Sequence, residues 1–427
     1  MAGQPPPPPL LLRNCRVLDT VAGICDYNLR FDVLAAAGRV QAISPHRGGA
    51  AAEAAAARLV LDCQGMVLMP GLCDAHVHCT ACTANLPGLL ALPESLVTAR
   101  AALILHGMLQ RGFTTVRDAG GADWGLAQAV EEGCILGPRL LFTGHALSQT
   151  GGHGDMRGKG EDFCGCGAAL RGIGRVCDGV PEVRRAARDE LRKGAHCIKV
   201  MASGGVSSPT DRLTNTQFAL EELEAIVEEA AACGTYVCAH AYTVPAIERA
   251  VQCGVRSIEH GNCLDEATAE LMAQRGTFLV PTLVTYQQLI ERGEEAGMAP
   301  ELVAKVGSLV EQGLSALAVA RQKGVTMCYG SDLLGELHGE QLGEFAIRSA
   351  VLPPKDLVQA ATINCARLFC MDHELGQVAA GHLADLLLVD GNPLEDIGVL
   401  TQPQQHLKLI IKGGQVVRNA LTPGDGA

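Results

Sequence analysis

The chain has 427 residues, of which 48% are hydrophobic and 19% charged, and its formal net charge is −12. This balance excludes a disordered polymer, and the acidic excess argues against nucleic acid or an anionic membrane surface as partner. The length exceeds one small domain and accommodates a large α/β core with an accessory domain.

The N-terminal "MAGQPPPPPLLLRNCRVLD" has no basic segment ahead of its apolar residues, and its proline tract resists helix formation. "LLL" therefore reads as the entry to a first strand, no later stretch is apolar for long enough to span a bilayer, and a cytoplasmic location is expected. From about Leu10 to Val67 short strands alternate with turns, and "AAAEAAAARL" reads as a surface loop or short helix within them. The same style returns after Asp385 in "ADLLLVDG" and "LKLIIKGGQVVRN", before a frayed tail beyond Ala420. A small β-sandwich formed from both termini, residues 1–67 and 376–427, follows from this likeness, leaving 68–375 as the central domain.

The central domain repeats one unit, a short apolar run followed by an amphipathic helix. Eight runs stand out: "GLCDAHVH" (71–78), "TTVRDAG" (114–120), "RLLFTGHALS" (139–148), "HCIKVMASG" (196–204), "TYVCAHAY" (235–242), "RSIEHGN" (256–262), "TFLVPTLV" (277–284) and "TMCYGSD" (326–332). Helices are expected over 98–110, 181–193, 220–233, 244–253 and 301–323. Eight consecutive β/α units imply an α/β fold, a (β/α)8 barrel of the TIM type. A doubly wound open sheet is the alternative, but it calls for a glycine-rich phosphate loop after its first strand, and "DAHVHCT" is not one.

Eighteen cysteines are scattered along the chain, several inside apolar runs (Cys197, Cys238, Cys328), which reads as buried free thiols in a reducing compartment. Cys79 with Cys82 and Cys164 with Cys166 are spaced for a structural zinc or a redox pair, the competing reading for those four.

Nearly every strand ends in a chemically loaded residue: His76 and His78, Asp118, His145, Lys199, His240 with Tyr242, His260 and Asp332. Each has a bland reading by itself. A strand-end histidine is commonly a hydrogen-bonded structural residue, Lys199 a snorkelling side chain, and Asp332 a helix N-cap. Alternation along a strand nevertheless points His76 and His78 to one side, and the others belong on the barrel face where such folds keep their active sites.

This pattern resembles the amidohydrolase superfamily, whose metal site uses HxH on strand 1, a carboxylated lysine on strand 4, histidines on strands 5 and 6 and an aspartate on strand 8. The resemblance places His76, His78, Lys199, His240, His260 and Asp332 in the metal site and covers nearly the whole chain. "SQTGGHGD", "IKVMASGGV", "AHAYT" and "SIEHGN" are similar to the branch of binuclear dipeptidases cleaving Xaa-Pro or Xaa-Arg/Lys, which includes ochratoxin-hydrolysing amidases. It implies hydrolysis of the amide bond of a dipeptide or N-acyl amino acid, a small-molecule substrate and a homo-oligomer. Imidazole and carboxylate ligands suit two divalent ions, expected to be Zn2+, and a carbamate on Lys199 can bridge them. A shared hydroxide then serves as nucleophile, with Asp332 carrying its proton to the leaving amine. His153 and Tyr242 are expected to donate to the oxyanion or to the substrate carboxylate. His145 competes with His153. Arg212 is either a bidentate partner of that carboxylate or a surface loop residue, and Asp118 either orients a ligand histidine or belongs to the barrel mouth. Two other classes remain: a cyclic-amide hydrolase or deaminase of the imidazolonepropionase type, against which Lys199 argues, and a non-catalytic assembly module, which would have lost ligands.

Overall fold

A computed structural model describes residues 7–47, 57–162 and 172–421. Cys164, Cys166, most of the alanine-rich insert and the tail beyond residue 421 lie outside them. Seventeen strands are assigned within these residues: β1 (Leu10–Val17), β2 (Phe31–Ala36), β3 (Arg39–Pro45), β4 (Leu59–Asp62), β5 (Val67–Pro70), β6 (Leu72–Val77), β7 (Phe113–Asp118), β8 (Arg139–Phe142), β9 (Ala146–Ser148), β10 (Gly174–Val176), β11 (Ile198–Met201), β12 (Val237–Ala241), β13 (Ser257–His260), β14 (Phe278–Val280), β15 (Leu386–Val389), β16 (Leu407–Lys412) and β17 (Gln415–Asn419).

The chain divides into two compact units. The first comprises residues 1–73, 108–115 and 352–427. Its sheet runs β17-β16-β15-β5-β1-β2-β3, with β4 beside β1, and mixes parallel and antiparallel pairs from both ends of the chain. Leu10, Leu12, Val33, Val40, Leu386, Leu388, Leu409 and Ile411 are buried together in its core. Because period-2 alternation sends these residues to one face, hydrophobic burial at ~25 cal/mol per Å2 fixes the register.

The second unit comprises residues 74–107 and 116–351. Its sheet, β10-β9-β11-β12-β13-β14, has parallel pairings throughout, and β6-β7-β8 form a further sheet. Every residue of β11, β12, β13 and β14 is buried, as expected of parallel strands covered on both faces. An α/β fold with a parallel core and a mixed sheet from both termini thus agrees with the sequence reading. Among the described residues no helix is long and apolar enough to cross a membrane.

Three elements differ from expectation, each for a local reason. The run 139–148 breaks into β8 and β9 around Gly144, whose φ of +70° leaves the extended region. The run 326–332 makes a single bridge, Leu279 to Met327, and its hydrogen bonds go to separate strands: Ala75 N donates to Tyr329 O and Cys328 N to Leu279 O. The helix expected over 301–323 is split into Pro300–Val303 and Leu309–Lys323, with Gly307 at positive φ between them.

One buried ion pair ties the later elements of the second unit. Arg348 is fully buried; its Nε donates to Glu344 Oε1 at 2.5 Å and its Nη1 and Nη2 to the carbonyls of Cys328 and Pro281. Glu344 Oε2 also accepts from Val284 N at 2.6 Å. Removing one member leaves the other charged and dry, which costs about 3–5 kcal/mol. Arg348→Met is therefore expected to lower the unfolding free energy measured in urea by an amount of that order, and adding Glu344→Leu to recover most of the loss. A single variant as stable as wild type would show that the pair holds nothing.

Candidate active site

His76 and His78, two residues apart on and just after β6, face the same side. His76 Nδ1 lies 2.8 Å from Glu259 Oε2, and a carboxylate has no proton to give, so the imidazole donates. His78 Nδ1 donates to the Gly120 carbonyl at 2.8 Å. In the neutral rings Nε2 is then the lone pair, and the two Nε2 atoms lie 3.3 Å apart. Asp332 Oδ1 stands 3.4 Å from one and 3.2 Å from the other. Three acceptors converging on one buried point repel one another unless a cation sits among them. His76, His260 and Asp332 offer ligand atoms within 4.8 Å of one another, so this donor set fits a divalent ion.

Backbone conformation contributes to this placement. His260 and Asp332 have φ of +74° and +52°, unusual for residues with a Cβ and costing of order 1–3 kcal/mol each. The Asp332 amide donates to the His76 carbonyl at 2.8 Å, which holds the turn in place. Burial alone would raise the Asp332 carboxyl, but the surrounding His76, His78 and His260 hold it well below the usual range. Burial lowers His78, yet the bond and charge of Asp332 outweigh that and its pKa is raised.

His240, on β12, donates from Nε2 to the Gly204 carbonyl at 3.0 Å and so turns Nδ1 free. Its ring is edge-on to His260 at 4.5 Å and stacked on His153 at 4.2 Å. Burial, then the charges of His153 and His260, hold His240 well below the ordinary histidine value. Lys199, on β11, is 1% exposed, and among the described residues its ammonium has no hydrogen bond or ion pair. His76, His78, His153, Lys199, His240, Tyr242, His260 and Asp332 line one cavity, with Leu86, Ile173, Val206, Leu289 and Leu334 as its apolar wall.

His153 is wedged between the His240 ring and Gly205, where an added Cβ would meet its imidazole at 2.1 Å. Its Nδ1 lies 2.8 Å from Ser208 Oγ, which donates to Asp211. Burial lowers its pKa to about 4 against the opposing charge of Asp211. The loop carrying Val206 and Ser208 is pinned by Lys305, whose Nζ donates to the carbonyls of Gly205, Ser208 and Asp211 at 3.3, 2.7 and 3.0 Å. Tyr242, 3% exposed, stacks on His260 and accepts from the Tyr286 hydroxyl at 3.0 Å.

Other candidates lie elsewhere. His145 is not among the cavity-lining residues; its ring faces Glu190 at 3.6 Å, because the turn at Gly144 directs it toward the helix Gly179–Arg192. Arg212 is exposed in a turn where its amide donates to Asn215 Oδ1, and it does not line the cavity either. Asp118 accepts from the amides of Cys79, Gly120 and Ala122, so it shapes the turn whose carbonyl holds His78. The Cys79 thiol donates to Asp118 at 3.0 Å, and burial followed by that carboxylate pushes its pKa well above the ordinary value, the opposite of a thiolate ligand. Cys79 and Cys82 are free thiols.

Two residues of this site carry no sequence signal. Glu259 bridges His76 and Arg117, whose Nη2 donates to Glu259 Oε1 at 2.8 Å, and its neighbour in sequence, His260, masks it. Tyr286 comes from the helix Leu283–Arg292, where an aromatic residue reads as core.

A model of the amidohydrolase family matches residues 67–416. The chain is 37% identical over 375 residues to ochratoxinase from Aspergillus niger, covering 84% of this chain and 77% of that one. It superposes on a prolidase solved with N-methylphosphonate-L-proline at a TM-score of 0.92, with 47% identity over 96% of this chain and 100% of that one. A Xaa-Pro dipeptidase with methionine bound in its active site gives a TM-score of 0.84 at 28% identity, covering 96% and 100%. With the match spanning most of the sequence, the chain belongs to the amidohydrolase family.

Proposed function

We propose that this protein is a binuclear metal-dependent hydrolase that cleaves the amide bond of a dipeptide or N-acyl amino acid, of the kind processed by prolidases or ochratoxinase. Family membership and the His76–His260–Asp332 cluster support the coarser statement, a metal-dependent hydrolase acting on amide or peptide C–N bonds. The observation that carries the finer one is the convergence of six potential ligands on a single cavity that also holds a tyrosine hydroxyl. In this reading the parallel strands close into a (β/α)8 barrel spanning residues 68–375, and the sheet from both termini forms the sandwich.

His76, His78 and Asp332 would hold one ion and His240 and His260 the other, with Lys199 between them. Lys199 lines the cavity together with His76, His78, His240, His260 and Asp332 and, among the described residues, has no hydrogen bond or ion pair. As the neutral amine, its Nζ forms a bond to the carbon of CO2 and releases one proton, giving a carbamate with two oxygens. Zn2+ is the expected metal; when bound, it supplies Lewis acidity that activates a water and polarises the scissile carbonyl. Asp332 accepts the proton of the attacking water and returns it to the leaving amine. Tyr242 donates to the substrate carboxylate. His153 takes a different role from the donor expected from sequence: the Ser208 hydroxyl is committed to Asp211, so the imidazole donates from Nδ1 and offers Nε2 as an acceptor for a substrate N–H or O–H. His145 and Arg212 have no part in this scheme.

Elemental analysis of the purified protein should find close to two divalent ions per chain, with Lys199→Ala losing metal and activity together and a short carboxylic acid restoring both in part. One ion per chain, unchanged by that substitution, would sink the binuclear proposal. Asp332→Asn keeps an oxygen ligand but accepts no proton, so it should retain much of its metal and lose on the order of 10²–10⁴ in kcat. Turnover near wild type would place proton transfer elsewhere. Substrate class is tested with an N-acyl amino acid and its C-terminal amide. The free acid should be strongly preferred, because a buried donor left without its partner discriminates by as much as ~10⁴-fold, and Tyr242→Phe should erase most of that preference. Equal cleavage of the two by wild type would leave a general amidase.

A further inference from the structure

We infer that Tyr286 is a positioning residue that fixes the direction of the Tyr242 hydroxyl, through a one-way chain of hydrogen bonds beginning at His260. This deepens the proposed function and rests on its reading of Tyr242 as the donor to the substrate.

Four groups form the chain, all of them buried. His260 Nδ1 lies 2.8 Å from Thr282 Oγ1. Thr282 Oγ1 lies 3.5 Å from the Tyr286 hydroxyl, which lies 3.0 Å from the Tyr242 hydroxyl. Exposures of His260, Thr282, Tyr286 and Tyr242 are 3%, 0%, 1% and 3%. A hydroxyl has a single hydrogen to give, so the polarity of such a chain is decided at one end. Asp332 Oδ2 stands 3.9 Å from the same Nδ1, beyond hydrogen-bonding reach, so if His260 presents Nε2 to the metal site, Nδ1 carries its proton and donates to Thr282. The threonine hydrogen then turns to Tyr286, and the tyrosine hydrogen of Tyr286 to Tyr242. Tyr242 is left with its own hydrogen, and among the described residues no acceptor for it is found. Because Tyr242 lines the cavity, that hydrogen is available only to what binds there.

The reverse polarity would have Tyr242 donating to Tyr286, Tyr286 to Thr282 and Thr282 to a bare Nδ1 of His260. That needs the proton on Nε2, where it would block the ligand position. The tautomer that lets His260 serve the metal site is thus the one that makes Tyr242 an obligatory donor to substrate. Tyr286 carries the polarity across, and its ring stands 6.0 Å from that of Tyr242, which fixes its place. A chain of this kind also strengthens its terminal donor by polarisation.

The chain has only five tyrosines, so selective 13Cζ labelling of the full-length, metal-loaded protein gives five signals, each assignable by a Tyr→Phe variant. Tyr286→Phe, which keeps the ring and removes the hydroxyl, is expected to shift the Tyr242 signal while Tyr27, Tyr236 and Tyr329 stay in place. With the free-acid substrate it should lower kcat/KM roughly 2- to 10-fold, the size of one neutral hydrogen bond. In a Tyr242→Phe background it should cost nothing further. An unmoved Tyr242 signal, or an equal loss in both backgrounds, overturns the proposal. Titrating wild type with free L-proline as a carboxylate probe gives a measurement independent of the variant's folding: the Tyr242 and Tyr286 signals should move together, and a shift of Tyr242 alone overturns the coupling. Failure of the dipeptidase reading looks different. Wild type would then cleave acid and amide equally, while Tyr286→Phe still shifted the Tyr242 signal.

Discussion

Everything in the site follows from one electrostatic constraint: the lone pairs of His76 and His78 and the carboxylate of Asp332 are brought to the same buried point. Such an arrangement is unstable in isolation. Each acceptor is held there by a bond on its far side, to Glu259, to Gly120 and, through the backbone, to His76 itself. Arg117 balances Glu259 in turn, so a positive charge outside the cavity sustains a negative one, which orients the inward-looking His76 ring. Burial would raise the Glu259 carboxyl, but Arg117 and His76 bring it well below the ordinary value, and it remains an acceptor.

The sequence displayed this centre more openly than its supports. HxH at strand spacing, a lysine and an aspartate at run ends and the order of the histidines were all readable because a strand's period of two fixes which side chains share a side. Glu259 and Tyr286 were not, since their partners are 183 and 44 residues away and their roles exist only after folding. Choosing between His145 and His153 needed the backbone as well. Both follow β8 within a few residues of a glycine, and only the left-handed turn at Gly144 sends the nearer one toward Glu190. The fold was legible in outline for the same reason, whereas a run such as 326–332, whose hydrogen bonds go to different partners, looks no different in sequence from a strand in a regular ladder.

The cavity wall is organised on a separate principle from the ligand cluster. The candidate ligands His76, Lys199, His240 and His260 lie within strands, where neighbouring strands limit their movement. The wall around His153 is loop, and its order comes from buried side-chain bonds: Ser208 and Gln217 donate to the Asp211 carboxylate, Gln217 accepts from the His153 amide, and Lys305 donates to three carbonyls. Chemistry and selectivity are thereby built on parts of the molecule with different tolerance to change.

The Lys305 contacts carry a consequence for how this enzyme can be diversified. The loop at 205–211 shapes the pocket, yet its carbonyls are satisfied from a residue 100 positions later in one case and nearly as far in the others. Transplanting the loop alone into a related scaffold would strand three oxygens without their ammonium. The unit of exchange is therefore a discontinuous pair, loop and lysine together, and new substrate preferences on this scaffold should arise by paired changes at the two places.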